Sequence, residues 1–348
     1  MSRTRRALLR RIAGLAAAQA ICATTALAQE AWNYRDKTIT IFVATSPGGG
    51  YDFYGRLLAR HIGKFLPGNP QVIVKNMPGA GGIVLANYLA QRAARDGTEI
   101  GALEHGTAFA ALLNGTAIRF DPLKLGWLGS LDQFVPIVAV WHTVPIYSAE
   151  DLLTRKMTVG SSGAGSTTSG YPNSLNAILG TKIKVIGGYA GSAEINLAIE
   201  RGELDGIASW CWTCAKSEKP DWISQNKLRV VLQLGPVGDP ELNQKGIPAA
   251  VDYARTDEQR QMLNLVFASV AMSRPFAAPP GLPPDRLELL RNAFAKAATD
   301  PDLIADAGGK GFEEKYVPPR RIENLLGKAY GASDSLIQKV RSAYSGKP

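Results

Sequence analysis

The sequence is short of the residues that metal and nucleic-acid chemistry need. Its 348 residues include three histidines, His61, His105 and His142, far apart, and three cysteines. Two cysteines with no histidine pair beside them do not make a structural zinc site. No basic stripe with interleaved aromatics is present, which argues against a nucleic-acid partner. Beyond the N-terminal segment, no apolar run is long enough to span a bilayer. No metal and no cofactor are expected.

What is present begins with an export signal. Residues 1–28 carry five arginines and no acid, followed by a small apolar run and Ala26-Leu27-Ala28, a small-x-small cleavage site that leaves Gln29 as the mature N-terminus. Thr4-Arg5-Arg6-Ala7-Leu8-Leu9-Arg10 is similar to a twin-arginine motif, and export by either the Sec or the twin-arginine route stays open. Cys22 follows Ile21, where a lipoprotein signal needs a small residue. Removal of the signal leaves 34 basic against 30 acidic residues, so the net charge falls from +9 to +4. The expectation is an exported, soluble protein in the periplasm.

The remaining chain is long enough for about two domains. Lys37–Ala44, Gln71–Lys75 and Thr98–Leu103 read as strands alternating with helical stripes, which argues a parallel sheet with helical crossovers. Met157–Gly160, Lys182–Ile186, Leu204–Ser209 and Leu228–Leu234 repeat the theme. The apolar stretches Pro136–Trp141 and Leu265–Met272 are candidates to link the two units. The last third is mostly helical, over Asp285–Ala298, Pro301–Ala307 and from Arg320 onward.

Three glycine-rich loops each lead from a strand into a helix. They are Ser46-Pro47-Gly48-Gly49-Gly50-Tyr51-Asp52, Asn76-Met77-Pro78-Gly79-Ala80-Gly81-Gly82, and Ser161-Ser162-Gly163-Ala164-Gly165-Ser166-Thr167-Thr168. A helix start offers unpaired N–H groups and a partial positive charge, and glycine lets an anion approach them. The dinucleotide pattern fails at Val84 and Thr168, the P-loop fails after Gly63-Lys64, and the nucleophile elbow around Ser162 fails at Ala164. What survives is anion holding by amides and hydroxyls, with no arginine required. Asp52 either meets a ligand donor or offsets its helix dipole. Ser161, Ser162, Ser166 and Thr167 either bind carboxylate oxygens or cap their helix. His105 follows the third strand and Tyr189 lies in a fourth glycine turn, Gly187–Ser192. Asp205 either lines the cleft or ends a turn.

Cys211-Trp212-Thr213-Cys214 reads as a local disulfide that stiffens a cleft-edge loop, with thiol redox chemistry as the weaker reading. Trp210 or Trp212 packs either on a ligand or in the core.

The first loop followed by Arg56-Leu57-Leu58, then the second loop, resembles the substrate-binding receptors of tripartite tricarboxylate transporters, the Bug-type receptors. The likeness continues through Phe120-Asp121-Pro122, Gly160–Thr167, Gly188–Gly191, Gly202–Asp205 and Arg274–Gly281. It implies a type II-like two-domain periplasmic binding protein, each domain a mostly parallel sheet flanked by helices, joined by two crossing strands. The implied division is 29–138 with 270–348, and 139–269. The implied function is capture of a small carboxylate by hinge closure, not catalysis, by a monomer that partners large and small permease subunits. The ligand residues it implies are Ser46, Pro47, Gly48, Gly49, Tyr51, Asp52, Pro78, Gly79, Ala80, Gly81, His105, Ser161, Ser162, Gly165, Ser166, Thr167, Tyr189, Asp205 and Trp210. This chain departs from the family's pattern at Ser169, Ala190 and the Cys211–Cys214 loop. The alternative is an exported enzyme, a thiol oxidoreductase using Cys211 and Cys214 or a hydrolase using Ser162. A secreted scaffold with no small ligand is a third reading.

Overall fold

The β-branched alternation after Lys37 forms strand β1 (Thr38–Val43), with Ile39, Ile41 and Val43 fully buried. The computed structural model describes residues 32–113, 118–164, 166–235, 238–308 and 316–346; the export segment and Gly165 lie outside them. After β1 come helix α1 (Gly50–His61), β2 (Gln71–Asn76), α2 (Ile83–Gln91), β3 (Glu99–Ala102), α3 (Thr107–Leu113) and β4 (Gly126–Ser130). The chain then crosses to β5 (Pro136–Trp141), β6 (Met157–Ser161), α4 (Thr167–Leu179), β7 (Ile183–Gly187), α5 (Ser192–Glu200), β8 (Gly206–Cys211), α6 (Trp212–Glu218) and β9 (Leu228–Gln233). Helix α7 (Asp257–Val266) leads back to β10 (Pro275–Ala278), and α8 (Pro284–Ala298), α9 (Pro301–Asp306), α10 (Pro319–Tyr330) and α11 (Asp334–Ser345) follow.

The strands form two five-stranded sheets with matching orders, β2-β1-β3-β10-β4 and β7-β6-β8-β5-β9. β1 is flanked in parallel by β2 and β3, and β6 by β7 and β8, while the strand that arrives from the other sheet, β10 or β5, is inserted antiparallel. Each sheet is therefore mixed, with two parallel and two antiparallel pairings, where the sequence suggested mostly parallel ones. The inserted strand has no helical crossover within its own sheet, so nothing forces it parallel.

The two crossings touch. Leu131 N–H donates to Arg274 O (3.2 Å), Ser273 N–H to Asp132 O (3.2 Å), Phe134 N–H to Ser273 Oγ (3.1 Å) and Arg274 N–H to Ser130 Oγ (2.9 Å). Pro136–Trp141 is the first strand after its crossing, as expected. Leu265–Met272 is the end of α7 and a 3₁₀ turn over Ala268–Met272, and the return strand starts three residues later. Thr256 caps α7 through Gln259 N–H, and its apolar face continues into the turn, so the helical option wins there.

The C-terminal helix α11 bridges the helical layers of both sheets. Arg341 Nε donates to Leu112 O on α3 (3.0 Å), and Tyr344 O–H donates to Ser166 O at the start of α4 (3.3 Å). Gly170 makes this approach feasible, because a Cβ there would fall inside the Tyr344 ring.

Candidate functional site

The loops after β1, β6 and β7 and the turn after β8 meet between the sheets. A cavity of about 60 Å³ lies there, lined by Thr45, Gly50, Tyr51, Glu104, His105, Phe134, Ser162, Thr167, Thr168, Gly191, Ser192, Ile195, Ser209, Trp210, Cys211, Cys214, Glu218 and Arg274. That is room for roughly two waters, so a ligand enters only when the loops part. The loops abut: a Cβ at Gly49 would lie 2.9 Å from Ser192 Oγ, one at Gly191 3.0 Å from Ser46 Oγ, and one at Gly163 3.1 Å from Ala80 Cα. A cavity of about 440 Å³ adjoins on the far side of Gly50, Cys214 and Glu218, against Phe53, Tyr54 and Arg56.

Four helices start at the small cavity: α6, capped by Cys211 Sγ accepting from Cys214 N–H, and α1, α4 and α5. The N-cap residues of α1, α4 and α5, which are Gly49, Ser166 and Gly191, make no side-chain capping bond. Elsewhere, α7 and α11 are capped by Thr256 and Ser333, whereas α2, α8, α9 and α10 also lack a side-chain cap. Ser166 has the right chemistry for a cap, but its hydroxyl donates to Gly163 O (2.9 Å) and meets Thr168 Oγ1. The cavity thus collects three helix starts without a side-chain cap, a setting that suits an anion, although Asp52 and Glu194 stand in the first turns of α1 and α5 and accept from Gly48 and Ala190 N–H.

A hydroxyl network joins the loops. Ser162 N–H donates to Thr168 Oγ1 (3.1 Å), and Ser209 Oγ donates to Thr167 Oγ1 (2.7 Å). Ser209 sits at a bulge where the β5–β8 register shifts, with φ 73°. A serine held in the left-handed region at a bulge is strained, and here the distortion turns its hydroxyl toward Thr167.

The floor is more charged. Tyr51 O–H accepts from His105 N–H (3.1 Å) and lies 2.6 Å from His105 Nδ1. Burial pushes the His105 imidazole down to about 3, with the Arg274 charge adding to the shift, so the ring is neutral. On the other side of the ring, His105 Nε2 lies 3.3 Å from Tyr171 Oη, which is bonded to Ser269 Oγ (2.8 Å). Arg274 is 4% exposed and its guanidinium lies over Tyr51, Phe134 and Tyr54, 4.3, 4.6 and 5.1 Å from the ring centres. Its Nη2 donates to Cys214 Sγ (2.7 Å) and Cys211 Sγ (3.3 Å), and its Nε has no partner. Burial pushes the carboxyls of Glu104 and Glu218 up to about 7, against the opposing pull of Arg274.

The residues singled out in the sequence divide. Tyr51, His105, Ser162, Thr167 and Trp210 line the small cavity. Gly48, Gly49 and Asp52 line the adjoining one. Ser46 faces Gly191 across the cleft, and Pro47 is exposed beside it. Ser161 and Ser166 brace the third loop internally, through Gly163 N–H to Ser161 Oγ and Ser166 Oγ to Gly163 O. The second loop (Pro78, Gly79, Ala80, Gly81) has positive φ from Gly79 to Gly82 and touches the third loop rather than the cavity. Tyr189 is held to Ser161 O by its backbone N–H (3.3 Å) and does not line the cavity. Gly165 lies outside the described residues.

Two acids are used structurally. Asp52 accepts from Gly48 N–H, Arg56 Nε and Asn76 Nδ2, which shapes the first loop. Those bonds hold its carboxyl below the usual range, although burial opposes them most strongly. Asp205 accepts from Thr158 N–H and Oγ1 (2.7 Å each) at the starts of β6 and β8, the opposite end of the sheet from the cleft. The cleft role read for Asp205 is therefore replaced by a strand-end clamp.

The sequence reading missed Arg274, Glu104, Glu218 and Phe134 as cavity residues. The available signal was a single arginine inside the apolar run from Leu263 to Ala278.

Cys211 and Cys214 form the disulfide expected of them, and both are buried. Ser162 Oγ meets Thr168 Oγ1, whereas His105 is engaged by Tyr51 and Tyr171, so no serine–histidine pair forms between them.

This fold is that of the two-domain periplasmic binding proteins. It is similar to the periplasmic binding protein BugD, with a TM-score of 0.69 at 17% identity over 90% of this chain and 100% of that one. It is also similar to MatC from Rhodopseudomonas palustris, solved with bound malate, with a TM-score of 0.66 at 17% identity over 87% and 98%. In sequence it is 25% identical over 342 residues to the UPF0065 protein in gbd 5'region of Cupriavidus necator, covering 94% of this chain and 95% of the relative. No family model matches the chain. The resemblance carried by the glycine motifs is thus borne out in fold and in overall sequence.

Proposed function

We propose that the protein is a periplasmic solute receptor that closes on a small carboxylate and delivers it to a tripartite tricarboxylate-type transporter. The observation that carries this reading is the convergence of three uncapped helix ends on one cavity between two sheets. Such an arrangement favours an anion without performing chemistry on it. Malate bound to MatC is consistent with a carboxylate ligand. The proposed division is 29–138 with 270–348, and 139–269; because β5 belongs to the second sheet, the hinge is proposed a few residues inside these bounds, where residues 130–134 meet 273–274. Ligand binding biases the opening of that hinge. The protein acts as a monomer beside large and small permease subunits, and is not an enzyme.

A thermal-shift screen of the mature protein against small mono-, di- and tricarboxylates tests the reading. A ligand that binds only the folded state raises the midpoint, by an amount that grows with concentration. At least one acid is expected to do so. If none does, and purified protein carries no acid, the reading fails.

A further inference from the structure

The glycine loops hold an anion without formal charge, yet the floor of the same cavity carries a cation. Arg274 lies in the second crossing, immediately before β10, and its backbone is bonded to Ser130 and Leu131 of the first. Its side chain reaches the disulfide of the second sheet and packs on Gly50 of the first: a Cβ at Gly50 would lie 2.6 Å from Arg274 Nη2, 3.1 Å from Cys214 Sγ and 3.1 Å from Glu218 Oε1. Gly50 is the first residue of α1, a twelve-residue helix with no side-chain cap. A full positive charge and a helix N-terminus therefore meet at one point.

The guanidinium is oriented but not neutralised. Three aromatic rings fix its plane. Its side-chain acceptors are two disulfide sulfurs, which are weak ones, and Nε has none. It forms no ion pair among the described residues. Asp132, the nearest acid of the crossing, receives the Tyr54 hydroxyl (2.8 Å). Glu104 and Glu218 share its cavity, but burial pushes both carboxyls up to about 7, so neither is a full counter-charge below that pH. A buried guanidinium with no paired carboxylate gains from an incoming anion, and it suits a carboxylate because it can donate two parallel bonds.

We propose that Arg274, with the N-terminus of α1, is the specificity-determining anion point of the cleft: it takes one carboxylate of the ligand while the starts of α4 and α5 take another, so the preferred ligand is a short acid with two carboxylates. This deepens the receptor reading and rests on it. It also places the ligand's second charge on the hinge, where Arg274 contacts both sheets.

The test is calorimetric titration of the mature protein with dicarboxylic acids of four to six carbons, each beside its monoamide, which keeps the shape and removes one charge. The wild type is expected to bind the best diacid at least about tenfold more tightly than its monoamide. Arg274→Met is expected to weaken the diacid on the order of 100-fold while changing the monoamide by less than about threefold, and Arg274→Lys to fall between. Circular dichroism establishes that each variant is folded; if Arg274→Met is not, Arg274→Gln and Arg274→Lys serve. The proposal is overturned if the wild type binds monoamide and diacid alike. It is also overturned if a folded Arg274 variant keeps full diacid affinity, or loses both ligands equally, as a purely structural arginine would. Wild type that binds neither acid nor amide overturns the receptor reading itself, a separate result.

Discussion

At the rim of the cleft, the proposed receptor would offer a ligand oxygen backbone amides and hydroxyls on loops that glycine allows to come close. At the floor stands a guanidinium held among three aromatic rings and bonded to a disulfide. The rim offers many weak, replaceable donors, each worth about 1 kcal/mol net. The floor concentrates its effect in one charge that cannot be moved without disturbing the hinge. A rim of this kind tolerates several acids, while the floor selects among them by charge number.

Mutation can break this contrast in graded steps. The largest effect is expected where rim and floor touch. Gly50→Val places side-chain atoms against Arg274, Cys214 and Glu218, and titration should show loss of carboxylate binding beyond about 100-fold. Full affinity in a folded Gly50→Val protein would contradict the site as drawn.

Within the rim, Thr167→Val removes the acceptor of Ser209 and one donor to the ligand. About a tenfold loss of affinity is expected, measured with the same acid. A change near 100-fold would make the rim as decisive as the floor.

The floor also predicts a pH response. Glu104 and Glu218 are pushed up to about 7 by burial, so both are largely neutral below that and charge above it. The facing groups do not oppose this trend: His105, pushed down to about 3, stays neutral, and Tyr51 and Tyr54 are raised further from their ordinary value of 10.0. Affinity for an anion should fall severalfold as pH rises from about 6 to about 8, and Glu218→Gln should flatten the curve. Stability follows the same sign for these two acids. They cost nothing below their ordinary 4.5, and the cost of charging them grows as pH rises through about 7. His105 works oppositely, adding a cost as pH falls below its ordinary 6.5 toward about 3.

The smallest effects on binding are expected where a replacement keeps the contact or lies outside the cleft. Replacing both Cys211 and Cys214 by Ser should change affinity by less than about threefold, since hydroxyls can accept from Arg274, and lower stability by about 2 kcal/mol through the freed unfolded chain. Loss of all function in that variant would favour a thiol enzyme. Asp205→Ala should leave affinity unchanged and cost about 1–3 kcal/mol in chemical denaturation, because Thr158 N–H and Oγ1 lose their acceptor. Weakened binding there would restore Asp205 to the cleft.

Much of the fold was legible locally. Ile39, Ile41 and Val43 alternate on a strand, and Pro284 and Pro301 open helices where proline suits the first turn. Strand β4 (Gly126–Ser130) was not legible, since five residues with two glycines carry little strand signal and its burial comes from β10 and the helices around it. Helix α7 was not legible because the apolar run Leu265–Met272 at its end reads equally well as a strand, and only the cap at Thr256 marks the helix start. In the site, the first and third loops could be found because glycine before a helix is a chain-local signal. Asp52 and Asp205 were ambiguous because one carboxylate in a loop serves a ligand, a dipole or a neighbouring strand equally well until its partners are known.

The sequence by itself determined the alternating elements, the export segment as an expectation, the glycine-rich helix starts and the cysteine spacing that permits a disulfide. These depend on residues a few positions apart. Only the tertiary structure decided that β10 and β5 insert antiparallel, that α11 joins both helical layers, and that Arg274 lies against Gly50 and Cys214. Those contacts link positions separated by sixty to more than two hundred residues. No local preference encodes them; they follow from how two sheets exchange strands and bury what lies between.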